Sequence, residues 1–333
     1  MLRTAIIGLG DVSAVHIPAM QASERGELIA VCDVDAGLEG SVPGARFYTD
    51  YEAMLETEAL DCVHICLPHY LHVPVARACI EHGVHVLLEK PLALNTREAL
   101  DLVALETERP AQKICVSLQN RRNESVEALL EIVRDRRYGS VQGVKGLVVW
   151  SRPSEYYRSR PWRATMKEAG GGTMINQSIH TLDLMQLVGG EIEAIRGSID
   201  NLVHHDIEVE DTATSHIRFS SGARGLFFST VSWVQNESVE LQVVMEEATC
   251  TIRDSVLTCT TADGASARIA EDARLPGSKF YYGASHDKLI NEFYRCIEDD
   301  TDDYIHAHDA LTSIRMIDAI RESSAAGKEV RLP

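Results

Sequence analysis

The chain has 333 residues, 45% hydrophobic and 25% charged, with a formal net charge of −18 from 50 acids against 32 bases. That length holds two ordinary domains with ample core, and the composition is globular rather than disordered. The acidic excess repels phosphate backbones, and no apolar run is long enough to span a bilayer, so neither a nucleic acid nor a membrane is an expected partner.

The N-terminal stretch MLRTAIIGLGDV has one arginine and a short apolar run that stops at glycines. It has no small-residue cleavage site, so no signal peptide is expected. TAIIGLG then reads as a strand and SAVHIPAMQAS as a helix, followed by strand ELIAVCDVD, helix YEAMLET and strand DCVHICLP. Helix HVPVARACIEHG, strand VHVLLE, helix TREALDLVALETE, strand KICVSLQ and helix NESVEALLEIVRD continue the alternation. Short apolar strands separated by amphipathic helices predict βαβ units and a parallel sheet.

The texture changes near residue 140. VQGVKGLVVW, ATSHIRF, ARGLFFSTVSW, SVELQVVMEE and TCTIRDSVLTCT read as strands, interrupted by one helix near 174–188. This predicts an α+β domain with a largely antiparallel sheet. SHDKLINEFYRCIED and HDALTSIRMIDAIRESSAAG read as two closing helices, the second stopped by Gly327. The fold class is therefore α/β: a Rossmann-type domain over residues 1–119 and a second, sheet-bearing domain over 120–333. The reading leaves open that the C-terminal helices pack back on the first domain. The eight cysteines (Cys32, Cys62, Cys66, Cys79, Cys115, Cys250, Cys259 and Cys296) are scattered without a CxxC pair. They read as reduced, mostly buried thiols of a cytoplasmic protein.

AIIGLGDVSAVHI places Gly8, Gly10 and Ser13 in a G-x-G-x-x-S pattern between the first strand and the first helix. Gly8 permits the tight turn, and Gly10 lets backbone amides approach a pyrophosphate. Asp11 and Val12 belong to the same turn. Asp33 ends the second strand, at the spacing of an acid that holds a ribose 2′-hydroxyl. An acid there repels a 2′-phosphate, so NAD is expected ahead of NADP. VHVLLEKPLALN ends an apolar strand at Glu89, Lys90 and Pro91. Ligands of open parallel sheets bind beyond the carboxyl ends of the strands, which directs these side chains to a cleft. Proline also confines Lys90 to extended conformations.

GGGTMINQSIHTLDLMQLVGG (170–190) sets Asn176, His180 and Asp183 at i, i+4 and i+7, one face of a helix at roughly 100° per residue. An unperturbed imidazole has a pKa of about 6.5, suited to general base work at neutral pH. As a metal site the trio is poor, because an asparagine amide is a weak ligand. VHHDIEVED (203–211) and YIHAHD (304–309) carry acids and histidines at mixed spacing and read as solvated connections. No metal is expected.

GLGDVSAVHIPAM, LPHYLHVPVARACIEHGVHVLLEKPLA, the GGG…H..D segment and AIRESSAAGKEVRLP together resemble the Gfo/Idh/MocA dehydrogenases across nearly the whole chain. The resemblance implies a Rossmann domain and a second domain whose open, mainly antiparallel sheet packs face to face in homodimers or homotetramers. It implies NAD(P)-dependent oxidation or reduction of a sugar, sugar nucleotide or cyclitol. The family's EKP lysine corresponds to Lys90 and its catalytic histidine to His180; Pro68, His72 and Glu89 match positions lining the cofactor site, and His286 falls at the cleft. YYRSRPWRAT (156–165) lies beside the cleft in this resemblance, so Tyr157 and Arg163 are the expected substrate contacts. Many members carry aspartate where this chain has Asn176; here the amide is expected to orient a substrate hydroxyl or the imidazole. For Asp183 two tasks stand equally, orienting the His180 ring or bonding to nearby backbone. The expected chemistry has His180 as acid/base and Lys90 stabilising the reacting oxygen. Two alternatives share the fold: a non-catalytic NAD(P)-binding regulator, and an enzyme using bound cofactor for transhydrogenation or elimination.

Overall fold

Six short strands, nearly all apolar, form a wholly parallel sheet in the computed structural model, which describes residues 1–273 and 284–332. They belong to the first of two units, Met1–Gln119 with Ser285–Leu311. The order along the chain is β1 (Leu2–Ile7), α1 (Ser13–Ala22), β2 (Gly26–Cys32), β3 (Arg46–Tyr48), α2 (Tyr51–Thr57), β4 (Cys62–Ile65), α3 (His72–Glu81), β5 (His85–Glu89), α4 (Thr96–Glu108) and β6 (Ile114–Ser117). Across the sheet it is β3-β2-β1-β4-β5-β6. Every residue of β4 and β6 is buried, as strands covered on both faces by crossover helices require. The helices start where the sequence caps them: Asp50 accepts from Glu52 N for α2, and Asn95 from Glu98 N for α4. The strand order reverses direction at β1 and β4, the place where open α/β sheets leave a crevice. Strand β3 escapes the sequence reading, since three residues are too few to show a period.

The second unit holds Asn120–Ala284 and Thr312–Pro333. It begins with α5 (Glu124–Arg134), β7 (Val141–Val149), α6 (Ser154–Arg158), α7 (Met166–Ala169), α8 (Thr173–Asn176) and α9 (Ile179–Gly189). Strands β8 (Ile192–Asp200), β9 (Thr212–Phe219), β10 (Arg224–Thr230), β11 (Glu240–Met245), β12 (Ala248–Arg253), β13 (Val256–Thr261) and β14 (Ser266–Glu271) follow. Helix α10 (Ser285–Glu298) returns to the first unit, α11 (Ala307–Ala326) ends at Gly327 with φ +63°, and β15 (Val330–Arg331) closes the chain. The nine strands run β14-β13-β12-β11-β7-β10-β9-β8-β15, all antiparallel except the parallel pair β7 and β10. One face is buried by Val144, Val148, Phe227 and Val243. Helix α9 lies on it at Gly146, where a Cβ would stand 2.5 Å from Met185 Sδ.

Two expectations are corrected here. TCTIRDSVLTCT is not one strand but the hairpin β12–β13. Asp254 (φ +53°) and Ser255 (φ +62°) both turn left-handed, as a two-residue type I′ turn demands, without the glycine that would have announced it. Nor are all the thiols reduced: Cys250 and Cys259 face each other across that hairpin and are joined by a disulfide. The other six cysteines are outside any disulfide and buried.

Candidate active site

At the end of β1 the backbone crosses close to β4. A Cβ on Gly8, whose φ is +95°, would lie 2.4 Å from the carbonyl oxygen of Cys66. Gly10 faces outward, with nothing within 4 Å of where its Cβ would be. Ser13 Oγ donates to Gly10 O at 2.6 Å, so the third motif position ties the turn from beneath. Asp33, at the end of β2, accepts from Leu9 N at 2.8 Å and from Asp35 N at 3.0 Å. Asp11 is exposed and Val12 is the uncapped N-cap of α1, whose first turn carries no acid. The positive end of α1 therefore stays open to a diphosphate, and Asp33 reaches the turn a ribose would occupy. The cradle without side chains at Gly8 and Gly10 fits a dinucleotide.

The end of β5 departs from expectation. The Glu89 carboxylate turns inward: His16 Nε2 donates to its Oε1 at 2.9 Å, and His286 Nε2 lies 3.7 Å from the same oxygen. Burial opposes its charge, but the hydrogen bond from His16 and the nearby His286 imidazole hold its pKa well below the usual carboxylate range. Burial likewise opposes charge on His16, yet Cys66 and Glu89 raise its pKa to about 10. His72 is also buried, its Nδ1 2.7 Å from Pro91 O and its Nε2 2.9 Å from Leu67 O. Burial pushes its pKa down. His72 thus staples the half-buried Pro68 segment to the backbone just past Lys90, and its ring nitrogens face protein carbonyls rather than a ligand. Lys90 itself is half-buried at the strand end.

In the second unit the glycines of GGG each meet a specific neighbour. Gly170 (φ +70°) ends α7. A Cβ on Gly171 would fall 1.8 Å from Arg321 Nη2, and one on Gly172 would fall 1.9 Å from Glu210 O. Thr173 N donates to that carbonyl at 2.9 Å and Met174 N to the Glu210 carboxylate at 3.1 Å, so Glu210 sets where α8 starts. The expected single helix is broken. Helix α8 stops at Asn176 and α9 begins at Ile179, because Thr173 Oγ1 and Ser178 Oγ both hydrogen-bond to Ser229 Oγ on β10. Asn176 and His180 therefore lie on two short helices rather than on one stripe, with His180 half-buried in the first turn of α9.

Asn176 meets Tyr156, the neighbour of the expected substrate contact Tyr157. Tyr156 Oη accepts from Asn176 Nδ2 at 3.0 Å and from Gln177 Nε2 at 3.1 Å. The Arg163 guanidinium lies 4.2 Å from the Tyr156 ring centroid, a cation–π stack. Tyr157 is buried against Ala169 and Val209, and burial raises its hydroxyl pKa. Tyr156 and Gln177 escaped sequence reading; the YY doublet announces a pair without saying which ring turns inward.

Asp183 takes neither of its two expected tasks. Arg121 Nε and Nη2 donate to its two carboxylate oxygens at 2.8 and 2.6 Å. VHHDIEVED is only partly a solvated connection: Val203, His205, Asp206 and Glu208 are exposed. His204, Val209, Glu210 and Asp211 are buried, and Asp211 accepts from the amides of Leu202, Val203 and His204. In YIHAHD, His306 Nδ1 bonds to Glu106 at 2.9 Å, and Ile305 and Ala307 are buried.

Residues 2–117 match the oxidoreductase family with NAD-binding Rossmann fold, and residues 126–251 match the GFO/IDH/MocA C-terminal domain. An oxidoreductase of Synechocystis is 28% identical over 64% of this chain, though the match spans only 61% of that protein's length. The D-apiose dehydrogenase of Paraburkholderia graminis is 24% identical over 99% of this chain and 89% of its own. The crystal structure of the WlbA dehydrogenase of Bordetella pertussis, in complex with NADH and UDP-GlcNAcA, superposes with a TM-score of 0.86 at 26% identity. It covers 100% of this chain and 99% of that one. A pinned nucleotide turn, EKP at a strand end and both domain matches lead to one conclusion: the chain belongs to the Gfo/Idh/MocA family of NAD-binding oxidoreductases.

Proposed function

We propose that this protein is an NAD-dependent oxidoreductase acting on a hydroxyl or keto carbon of a sugar, sugar nucleotide or cyclitol. The observation that carries the reading is the pairing, within the first unit, of a nucleotide turn hooked by Asp33 with Lys90 at the carboxyl end of β5. The names of the relatives, an apiose dehydrogenase and a dehydrogenase crystallised with a sugar nucleotide, support the substrate class.

NAD, when bound, supplies the hydride acceptor at nicotinamide C4. Lys90, as an ammonium, donates to the reacting oxygen and stabilises negative charge as the hydroxyl proton leaves. His180 takes that proton in oxidation and returns it in reduction. Asn176, which donates to Tyr156, orients a substrate hydroxyl or the imidazole, and Arg163 with Tyr156 offers a stacked face to the sugar. This moves the tyrosine contact from Tyr157 to its neighbour. Asp33 carries the preference for NAD over NADP.

The exposed face of the second sheet carries Leu226 and Val244, apolar side chains suited to a face-to-face homodimer or homotetramer. Among the described residues no helix is long and apolar enough to cross a membrane. We place the enzyme in the cytoplasm; the Cys250–Cys259 bond is the feature at odds with that placement.

The test is reduction of added NAD across a panel of polyols, aldoses, cyclitols and sugar nucleotides. Turnover with at least one member, lost in Lys90→Ala and His180→Ala, is the expected result. Full turnover in both variants would sink the site assignment. NAD binding with no turnover on the whole panel would favour a non-catalytic regulator.

A further inference from the structure

Beneath Lys90 the first unit buries a group of ionisable side chains that the proposed reaction does not use. His16 on α1, His64 on β4, and His286 and Tyr294 on α10 gather around Glu89, and all five are buried. They form a chain. Tyr294 Oη lies 2.8 Å from His64 Nε2, His64 Nδ1 lies 2.9 Å from His16 Nδ1, and His16 Nε2 lies 2.9 Å from Glu89 Oε1. His286 Nε2 approaches the same oxygen at 3.7 Å.

Chemistry fixes the direction at the Glu89 end of the chain. An ionised Glu89 can only accept, so His16 Nε2 carries a proton. The His16 Nδ1–His64 Nδ1 contact holds one proton between the two rings, and His64 Nε2 shares a second with the Tyr294 hydroxyl. Burial and the neighbouring His16 push the His64 pKa well down. Apolar side chains of the same volume would in general be no less stable than such a buried ionic chain. What the chain adds is definition: each link joins one stated pair of atoms.

That definition passes to Lys90. Successive strand residues point to opposite sides, so a carboxylate held on the inner side sets where the next side chain leaves. Pro91 confines the Lys90 backbone to extended conformations. We propose that His16, backed by His64 and Tyr294, is a positioning residue: it moors the Glu89 carboxylate and thereby fixes the strand end from which Lys90 is presented. This rests on the reading of Lys90 as the group at the reacting oxygen. The carboxylate and imidazole atoms of His16, Glu89 and His286 also lie within 4.8 Å of one another, a spacing that could hold a divalent cation. A chain in which His16 donates to Glu89 leaves no lone pair for a metal at that nitrogen.

The experiment labels the full-length protein with acetic anhydride over a pH series and follows acetylation of Lys90 by peptide mass spectrometry. His16→Leu is expected to shift the midpoint of Lys90 labelling by about one pH unit. His16→Gln, whose amide still donates to Glu89, restores the midpoint. With a substrate from the panel, His16→Leu lowers kcat by about 10- to 100-fold while the Kd for NAD, read by fluorescence, changes less than about threefold. If His16→Leu does not fold, Tyr294→Phe reads the same chain from its far end, and a shift in the same direction supports the proposal. An unchanged labelling profile in the folded variant overturns it. So does a stoichiometric metal in the purified protein whose removal by chelator lowers Tm. Turnover that survives in Lys90→Ala would sink the functional reading while leaving the labelling result standing, so the two failures are distinguishable.

Discussion

Arg121 and Asp183 meet as two parallel hydrogen bonds of 2.8 and 2.6 Å, with Asp183 1% exposed and Arg121 10%. The fork geometry is the strongest form of such a pair. Removing one partner leaves a buried charge, which typically costs about 3–5 kcal/mol. Asp183→Ala and Arg121→Ala should each lose about that much stability in urea unfolding. The double variant Arg121→Met with Asp183→Leu should recover at least half of it. A loss below about 1 kcal/mol in both single variants would show that the pair is dispensable.

The two tyrosines separate cleanly. Tyr156→Phe removes the acceptor shared by Asn176 and Gln177, each bond contributing about 0.5–1.5 kcal/mol. Its effect should fall on the KM for the sugar substrate, with a smaller loss of Tm than in Tyr157→Ala. Tyr157→Ala empties a packed position and should lower stability by about 3–5 kcal/mol. Steady-state kinetics beside thermal melts on both variants checks the split. The reverse pattern would restore Tyr157 as the substrate contact.

Much of this was legible in the sequence because it is local. Period and glycine placement located β1, β2, β4 and β5, the nucleotide turn and Asp33, since these depend on neighbours within a few residues. What escaped depends on distant partners. The break between α8 and α9 is made by Ser229, some fifty positions on, and the start of α8 by Glu210. Glu89 reads as a cleft residue until α1 and α10 bring His16 and His286 to it. The bidentate task of Asp183 required Arg121, sixty-two positions earlier.

Asp33 holds Leu9 N at the glycine turn. Asp33→Asn keeps an acceptor for Leu9 but removes the charge. A hydrogen bond to a charged group contributes about 1.5–3 kcal/mol, so NAD should bind roughly 10- to 100-fold more weakly. NADP, no longer repelled, should bind more tightly than in the wild type. Fluorescence titration with both reduced cofactors measures the two shifts, and an unchanged preference would remove Asp33 from cofactor selection.

Asp211 gives an acid limb with a definite window. Burial raises its pKa, but the amides of His204, Leu202 and Val203 outweigh this and bring it to about 2 from an ordinary 3.8. A depressed folded pKa contributes stability that is complete above the unfolded value and lost as pH falls through the folded one. The contribution should therefore disappear between about pH 4 and pH 2. Asp211→Asn should have a lower Tm at neutral pH and a shallower decline across that window. Parallel Tm curves for the two proteins would contradict this account.

Gly171 and Arg321 stand 150 positions apart, yet the guanidinium occupies the space a Cβ at residue 171 would need. The two positions are therefore linked in the history of the sequence. A side chain at 171 meets two obstacles, the Arg321 tip, which can swing aside, and a backbone at φ +146° that favours glycine whatever the neighbour. Aligned homologues should show the two columns changing together, and a laboratory selection for revertants of Gly171→Ala should return substitutions at Arg321.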